Sequence, residues 1–288
     1  MITATTHMKP MTENGRIKML PEEFERIAAF AQSEAGLQFT TQKAPMMESR
    51  LIKRLKKLHI NNFSEYCSLI EDPAQQDERS QLISALTTNV TSFFREPHHF
   101  ATLSGEVIPP LVEKLKSGKP VRIWSAGCSR GHEAYSLAME FSEQLPNISN
   151  YDFRILASDI DTQVLKTARA GSYDRSDLGG TPEEYVQKYF EALGESLKVI
   201  PETRKLIRFN PLNLLQDWPM KTQFDVIFCR NVVIYFDQQT QDTLWPKFET
   251  ATRLGGWLFI GHSERLTSSA APSYQSAGMT SYKKSELL

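Results

Sequence analysis

The chain has 288 residues, of which 40% are hydrophobic and 10% aromatic, enough to fold around one large core or two modest ones. Lysines and arginines number 33 and acidic residues 34, and the resulting net charge of −1 excludes a protein-wide field that attracts nucleic acid or anionic membranes. The three scattered cysteines exclude a disulfide framework, and the sequence shows no signal peptide or membrane-spanning run. We therefore expect a cytoplasmic protein.

The N-terminal part of the chain predicts a helical domain. Residues 1–16 are polar and are expected to form a flexible tail. Residues 17–88 show only helical spacing, and Pro21 and Gly36 are suitable residues to begin and end a first helix. We predict an all-α domain over 17–88.

One helix of this domain carries a basic face. Three leucines, at 51, 55 and 58, fall on one side of the helix. The opposite side carries Arg50, Lys53, Arg54 and Lys57, and no acidic residue in the segment balances them. Such a face is either simply solvated or a docking patch for an acidic partner.

Residues 89–120 form a linker with an unusual start, TTNVTSFFREPHHF. Polar side chains surround the pair Phe93-Phe94, which predicts either a segment folded back over a pocket or a helix end packed by two aromatic rings. The adjacent His98 and His99 point in different directions, so we assign them structural roles and predict no metal site.

Residues 121–288 alternate strand-like and helical segments, as in a parallel α/β sheet. Its first strand enters the turn Gly127–Gly131, and Glu133 falls in the first turn of the next helix. A glycine-bearing turn lets the backbone approach a ligand, and a carboxylate at this position favours a cation over a pyrophosphate. The pattern indicates a positively charged nucleoside, with S-adenosylmethionine the best candidate.

Two more strands end in polar residues at the edge of the sheet where ligands collect. Asp159 closes the second strand and either accepts ribose hydroxyls or caps a helix, and Asp161 is well placed as the cap. Another strand ends near Arg230-Asn231, and Tyr235 follows either as core or as a hydrogen-bonding group.

The sheet rhythm is interrupted between residues 171 and 208, which predicts a small β insertion. It contains a helix-like segment, PEEYVQKYFEAL, and two short candidate strands, SLKVI and RKLIRF. The last segment, PSYQSAGMTSYKKS, predicts an antiparallel hairpin at the sheet edge.

Two other functions remain open at this point. Residues 127–131 also spell G-x-S-x-G, so Ser129, Asp225 and His262 form a possible serine esterase triad in the required chain order. The upstream region is helical, whereas a hydrolase would place strands there. A non-catalytic adaptor that senses S-adenosylmethionine is the second alternative.

Five segments together, TTNVTSFFRE, WSAGCSRGHEAYSLAM, ASDID, NLL and FCRNVVIYF, resemble the chemotaxis receptor methyltransferase family, CheR. The resemblance implies a Rossmann-like class I methyltransferase fold with a mostly parallel seven-stranded sheet, and methylation of chemoreceptor glutamates with S-adenosylmethionine. It implies cofactor contacts from Asn89, Thr91, Arg95, Glu133, Asp159, Asn213, Leu214, Arg230 and Asn231. It further implies that Arg95 and Tyr235 face the transferred methyl group, and that the basic helix docks on the helical cytoplasmic domain of receptors.

The chain departs from the family pattern at two places. His132 stands where the family usually has a first glutamate, and only Glu133 is kept. The segment YFEALGESLKVI is short and glycine-poor compared with members that bind a receptor C-terminal peptide, so we expect no such tethering. We further expect a monomer without membrane insertion or nucleic-acid binding.

Overall fold

A computed structural model describes residues 17–266 and 271–286. The predicted tail over 1–16 lies outside the described residues. The chain separates into two compact units, with the boundary between Thr87 and Thr88. None of the described helices is long and apolar enough to cross a membrane.

The first unit is helical, and its helices begin and end where the local chemistry predicts. Glu23 accepts a hydrogen bond from the backbone N–H of Leu20 at 2.8 Å, and Gly36 ends the first helix in a left-handed conformation (φ 68°). Its helices are α1 (Pro21–Ala35), α2 (Ala44–Leu58), α3 (Phe63–Glu71) and α4 (Gln76–Leu86).

Helix α2 turns part of its basic face toward α4. Arg50 donates hydrogen bonds to the carbonyls of Leu86 (2.8 Å) and Thr87 (3.0 Å), which lie at the end of α4. Arg54 forms an ion pair with Glu78 of α4, an acidic residue outside the segment, so part of the basic face is balanced within the helical unit. Lysines 53, 56 and 57 remain exposed.

The second unit is built on a seven-stranded sheet with the order β6-β2-β1-β7-β8-β10-β9. All neighbouring pairs are parallel except those of β10, which is antiparallel to both β8 and β9. The predicted C-terminal hairpin is therefore confirmed. The strands of this sheet are β1 (Val121–Ala126), β2 (Phe153–Asp159), β6 (Ile207–Pro211), β7 (Phe224–Cys229), β8 (Thr252–Ile260), β9 (Tyr274–Ser276) and β10 (Ser281–Lys284).

Helices cover both faces of this sheet, which explains why its central strands are mostly apolar. Every residue of β7 is buried, and separate apolar clusters lie on the two faces. The helices of this unit are α5 (Pro97–Thr102), α6 (Ile108–Lys116), α7 (His132–Gln144), α8 (Thr162–Ala170), α9 (Glu183–Tyr189), α10 (Pro201–Arg204) and α11 (Gln238–Ala251).

A three-stranded antiparallel sheet, ordered β3-β5-β4, interrupts the main sheet between α8 and β6. Its strands are β3 (Ser172–Asp174), β4 (Phe190–Leu193) and β5 (Ser196–Val199). One detail differs from the sequence prediction: the helix α9 stops at Tyr189, because the next four residues pair with β5. The second candidate strand, which as KLIRFNP also fits the series of parallel strands, is β6, the edge strand of the main sheet.

Candidate functional site

Four parallel strands end at one edge of the main sheet, and the predicted site residues follow them directly. The turn at 127–131 follows β1, Asp159 ends β2, Asn213 follows β6, and Arg230 follows β7. In an open α/β sheet, this carboxyl edge beside the central strands is where ligands bind.

The turn after β1 requires its glycine. Gly127 has a φ of 80°, and a Cβ built on it would lie 2.3 Å from Cγ2 of Val232. The backbone N–H groups of Gly127 and Cys128 both donate to the carbonyl of Ser158, at 2.8 and 2.9 Å, which joins the turn to β2. A side chain at 127 would therefore displace the loop after β7.

Asp159 is 8% exposed and organises the backbone around it. Its carboxylate accepts from the N–H groups of Ser129 (2.7 Å) and Asp161 (2.9 Å), and burial raises its pKa to about 6. Asp161 caps α8 by accepting from the N–H of Gln163 at 2.8 Å, as predicted. Asp159 caps no helix of the described chain. Of its two predicted roles, this leaves the binding of ribose hydroxyls.

Glu133 forms a buried ion pair that sequence reasoning did not anticipate. One carboxylate oxygen lies 2.7 Å from Nε of Arg230, and the other accepts from the hydroxyl of Ser125 at 2.6 Å. Arg230 is 7% exposed and also donates to the carbonyl of Arg95 at 2.6 Å. The cation that Glu133 faces here is thus the protein's own, and Arg230 links α7 to the linker.

Glu96 completes this network, although we did not place it among the site residues. It holds the ring of His262 at 2.9 Å and lies 3.7 Å from Arg230. Burial opposes its ionisation, but the hydrogen bond from His262 and the charge of Arg230 outweigh burial, so the pKa of Glu96 lies below its usual value. Its position directly after Arg95 in the FFRE segment was the available signal.

The same region brings together a carboxylate and two imidazoles. Potential ligand atoms of Glu96, His98 and His99 lie within 4.8 Å of one another. Burial and the charge of Arg230 lower the pKa of His99 to about 4, so its ring is neutral at pH 7. The guanidinium of Arg230 lies 3.3 Å from Nδ1 of His99 and 3.7 Å from the carboxylate of Glu96, so this group already faces a cation of the protein.

The start of the linker is fixed by its aromatic pair. Phe93 packs on the rings of His132 (4.6 Å) and Tyr173 (5.1 Å), and Phe94 packs on Tyr185 (5.1 Å). Of the polar groups in this segment, Asn89 donates to Asp161 beside the sheet edge at 2.7 Å. Arg95 donates to the carbonyl of Val90 within the segment itself at 3.0 Å, and Thr91 is half-buried.

His132 stands at the position where the CheR pattern usually has its first glutamate, and burial changes the pKa of its ring. Its ring is fully buried between aromatic side chains, neither nitrogen has a hydrogen-bond partner among the described residues, and burial lowers its pKa to about 4.

The loop after β7 is held by a glutamate that the sequence analysis missed. Glu264 is 2% exposed and accepts from the N–H groups of Asn231 (3.0 Å), Val232 (2.8 Å) and Val233 (2.9 Å). Tyr235 ends the short 3₁₀ turn that follows; it is half-buried, and its hydroxyl has no hydrogen-bond partner in the described part of the chain. The signal was the GHSE segment, because β8 ends at this same edge.

The loop after β6 contributes the remaining two predicted residues. Asn213 uses its side-chain oxygen to accept from the N–H of Leu215 at 3.0 Å. Leu214 is 7% exposed and belongs to the apolar cluster beneath the sheet. Of this pair, Asn213 is the half-buried polar group at the edge.

Strained backbone is concentrated here. Seven non-glycine residues of the described chain have left-handed φ values, and four lie at this edge, namely Phe94, Glu96, Ser129 and Asn231. Each such residue costs about 1–3 kcal/mol and persists only where its surroundings fix it, as at ligand sites.

The esterase triad is not assembled. Asp225 lies near the start of β7, where it accepts from the N–H of Arg122 at 2.9 Å and pairs with Lys114. The four residues from Asp225 to the end of β7 span about 13 Å, so Asp225 lies at the opposite end of the strand from Ser129 and His262. The hydroxyl of Ser129 donates to the carbonyl of Asn89 at 3.1 Å rather than to a histidine.

The site fits a cationic nucleoside. Its inner network combines two carboxylates, Glu96 and Glu133, with one guanidinium, Arg230, so acidic groups are in excess. Asp159 has unused lone pairs beside the glycine turn, since each of its oxygens accepts one N–H. The acidic excess at Glu96 and Glu133 can bind an amine, and Asp159 can bind a pair of sugar hydroxyls.

Two family models match the two units of the chain. The CheR methyltransferase all-alpha domain matches residues 22–87, and the CheR methyltransferase SAM binding domain matches residues 89–283.

Curated relatives agree with these matches. A probable chemotaxis protein methyltransferase of Rhizobium etli is 44% identical over 87% of this chain and 95% of the relative. Chemotaxis protein methyltransferases of Borreliella burgdorferi and Escherichia coli are each 36% identical, over 88% and 91% of this chain and 91% and 90% of their own lengths. The sheet order, the acidic carboxyl edge and these matches agree that the chain belongs to the CheR methyltransferase family and uses S-adenosylmethionine as its cofactor.

Proposed function

We propose that this protein transfers the methyl group of S-adenosylmethionine to glutamate side chains of chemoreceptors and forms γ-glutamyl methyl esters. The observation that supports the proposal is that Asp159 ends β2 and Glu133 lies in the first turn of α7 at the same sheet edge, where Arg230 links Glu133 to the carbonyl of Arg95. The names of its relatives, chemotaxis protein methyltransferases, support the substrate class.

The binding roles follow from the contacts of each residue. Asp159 accepts the ribose hydroxyls, and the acidic excess around Glu133 attracts the amino group. Asn89, Thr91, Asn213, Leu214 and Asn231 line the remaining surface. Arg230 acts as a positioning residue in this scheme, because its guanidinium is committed to Glu133 and to the carbonyl of Arg95.

The reaction needs orientation more than acid–base catalysis. The bound cofactor supplies an electrophilic methyl group on a sulfonium. A glutamate with a pKa of about 4.3 is already ionised at neutral pH, so no general base is required. Arg95 orients the incoming carboxylate through its planar fork, and the hydroxyl of Tyr235 hydrogen-bonds it, while Phe93 and Phe94 hold the linker in place. Orientation of this kind supplies up to about 7–11 kcal/mol of the barrier.

Methyl transfer to receptor-rich membranes tests the proposal. We expect label from radiolabelled S-adenosylmethionine to become protein-bound and to be released as methanol by mild base, which is diagnostic of a carboxyl methyl ester. Ser129→Ala should retain most of this activity. Absence of transfer, with cofactor binding intact, would instead indicate a non-catalytic adaptor, and loss of activity in Ser129→Ala would favour serine chemistry.

We further propose that the exposed lysines of α2 dock on acidic receptor helices in the cytoplasm. Arg50 and Arg54 contribute mainly by fixing α2 on α4. Lys53→Glu combined with Lys57→Glu should raise the KM for receptor without changing cofactor affinity, whereas Lys221→Glu, an exposed lysine of the other unit, should change neither. Equal effects of the two variants would contradict a specific docking face.

The proposal includes a monomeric enzyme that does not bind a receptor C-terminal tether. The strands β4 and β5 are joined by a two-residue turn at 194–195, which leaves a short insertion. A calorimetric titration with receptor C-terminal peptides should therefore give no tight association, and tight binding would overturn this part.

A further inference from the structure

A second concave site lies away from the cofactor edge, on the outer side of the edge strand β6. The cavity has a volume of about 260 Å³ and is lined by Tyr135, Arg169, Arg204, Ile207, Arg208 and Phe209. Its arginines come from three elements, α8, α10 and β6, so the cluster exists only in the folded protein. Tyr135 and Phe209 pack with ring centroids 5.6 Å apart and form an aromatic floor.

None of the three guanidinium groups has a carboxylate partner among the described residues. Their hydrogen bonds go to backbone carbonyls: Arg169 donates to Phe209 at 2.8 Å, Arg204 to Arg169 at 3.2 Å, and Arg208 to Ile207 at 3.3 Å. Most donors of each guanidinium remain available, and three arginines line this one cavity in a protein whose net charge is −1. Arginines gathered around one cavity repel one another, and a bound anion would relieve that repulsion.

The side chains and the size of the cavity select one class of anion. Arginine forks match the tetrahedral oxygens of a phosphate and bind them bidentately, which lysine ammonium groups do not. The cavity volume lies just below the range of about 300–1,000 Å³ typical of small-molecule sites, so it suits a phosphate carrying a short substituent. The aromatic floor gives that substituent an apolar surface.

We propose that this arginine cavity binds a small phosphate monoester. The cavity is separate from the proposed methyl transfer site, because none of its lining residues belongs to the site residues at the carboxyl edge of the sheet. Its occupant would bridge α8, α10 and β6, and so would join the insertion to the edge of the main sheet.

Calorimetric titrations of the full-length protein test this proposal, with inorganic phosphate and glycerol 3-phosphate as probes. A saturating concentration of S-adenosylhomocysteine keeps the probes out of the cofactor site. We expect one saturable site per chain, tighter for the ester than for phosphate and weakened by added salt. Arg208→Gln is the cleanest variant because the hydrogen bonds of Arg208 reach only nearby backbone carbonyls, and it should weaken binding at least ~10-fold.

Arg154→Gln is the matched control, since Arg154 is an exposed arginine of the adjacent strand β2 outside the cavity, and it should leave binding unchanged. Methyl transfer by Arg208→Gln should remain at the wild-type level, so failure of this proposal is distinguishable from failure of the proposed function. Absence of saturable binding, equal weakening by both substitutions, or stronger binding of a glutamate-rich peptide than of glycerol 3-phosphate would overturn the proposal.

Discussion

The buried pair of Arg230 and Glu133 gives the most direct test of the site geometry. Their side chains are 3% and 10% exposed, and the two charged atoms lie 2.7 Å apart. Arg230→Met leaves Glu133 buried with one remaining donor, the hydroxyl of Ser125. Removing one member of a buried pair costs about 3–5 kcal/mol, so we expect a loss of that size in the free energy of unfolding.

Glu133→Gln should cost less, about 1–3 kcal/mol, because the amide oxygen can still accept a hydrogen bond from one of its two present donors. If the pair acts as a unit, the double variant should lose less than the sum of the two single variants, with a coupling energy of about 1–3 kcal/mol. Urea denaturation followed by tryptophan fluorescence suits this measurement, since all four tryptophans lie beyond residue 88 and report on the second unit.

An exposed pair at nearly the same distance provides the control. Lys116 and Glu113 lie 2.8 Å apart with side chains 50% and 72% exposed, and their coupling should be much weaker than that of the buried pair, because water screens exposed charges. Additive losses at Arg230 and Glu133, or an Arg230→Met loss below about 1 kcal/mol, would refute the reasoning that this pair is buried and mutually dependent.

Three further substitutions address catalysis, loop geometry and pH. Arg95→Ala should lower kcat by about 100-fold, since orientation is lost, while calorimetry shows S-adenosylhomocysteine affinity nearly unchanged; equal losses would make Arg95 merely a binding residue. Glu264→Gln should destabilise the protein by about 3–5 kcal/mol in urea, because one amide oxygen cannot replace a carboxylate that accepts several N–H groups, and a loss under about 1 kcal/mol would contradict that role. The pKa of His132 is about 4 in the folded protein and 6.5 in the unfolded chain, so between these values the unfolded chain binds more protons. The contribution of the neutral ring to the free energy of unfolding is therefore fully present above pH 6.5 and is lost as the pH falls toward 4. His132→Phe should remove up to about 3 kcal/mol of that acid loss in denaturation curves at pH 7 and 4.5, and unchanged pH dependence would show that the ring is not buried neutral.

Sequence patterns alone were sufficient to predict the architecture of the second unit and the side of the sheet that carries the site. A short, mostly apolar run such as 224–229 is typical of a strand buried on both faces, and neighbouring parallel strands end at a common edge. The cap at Asp161 was also local, because its hydrogen bond to the N–H of Gln163 lies within two residues.

The pairing of the charged groups, by contrast, depends on long-range packing. Arg230 and Glu133 are 97 residues apart in sequence, and Glu264 reaches a backbone 33 residues earlier, so no local pattern predicts either contact. The same holds for the pairing of Arg54 with Glu78 and for the strand at 190–193, where pairing with β5 overrides a helical pattern. Local propensities are worth fractions of a kcal/mol per residue, whereas burial and pairing are worth several, and packing therefore selects the partners of each charged group.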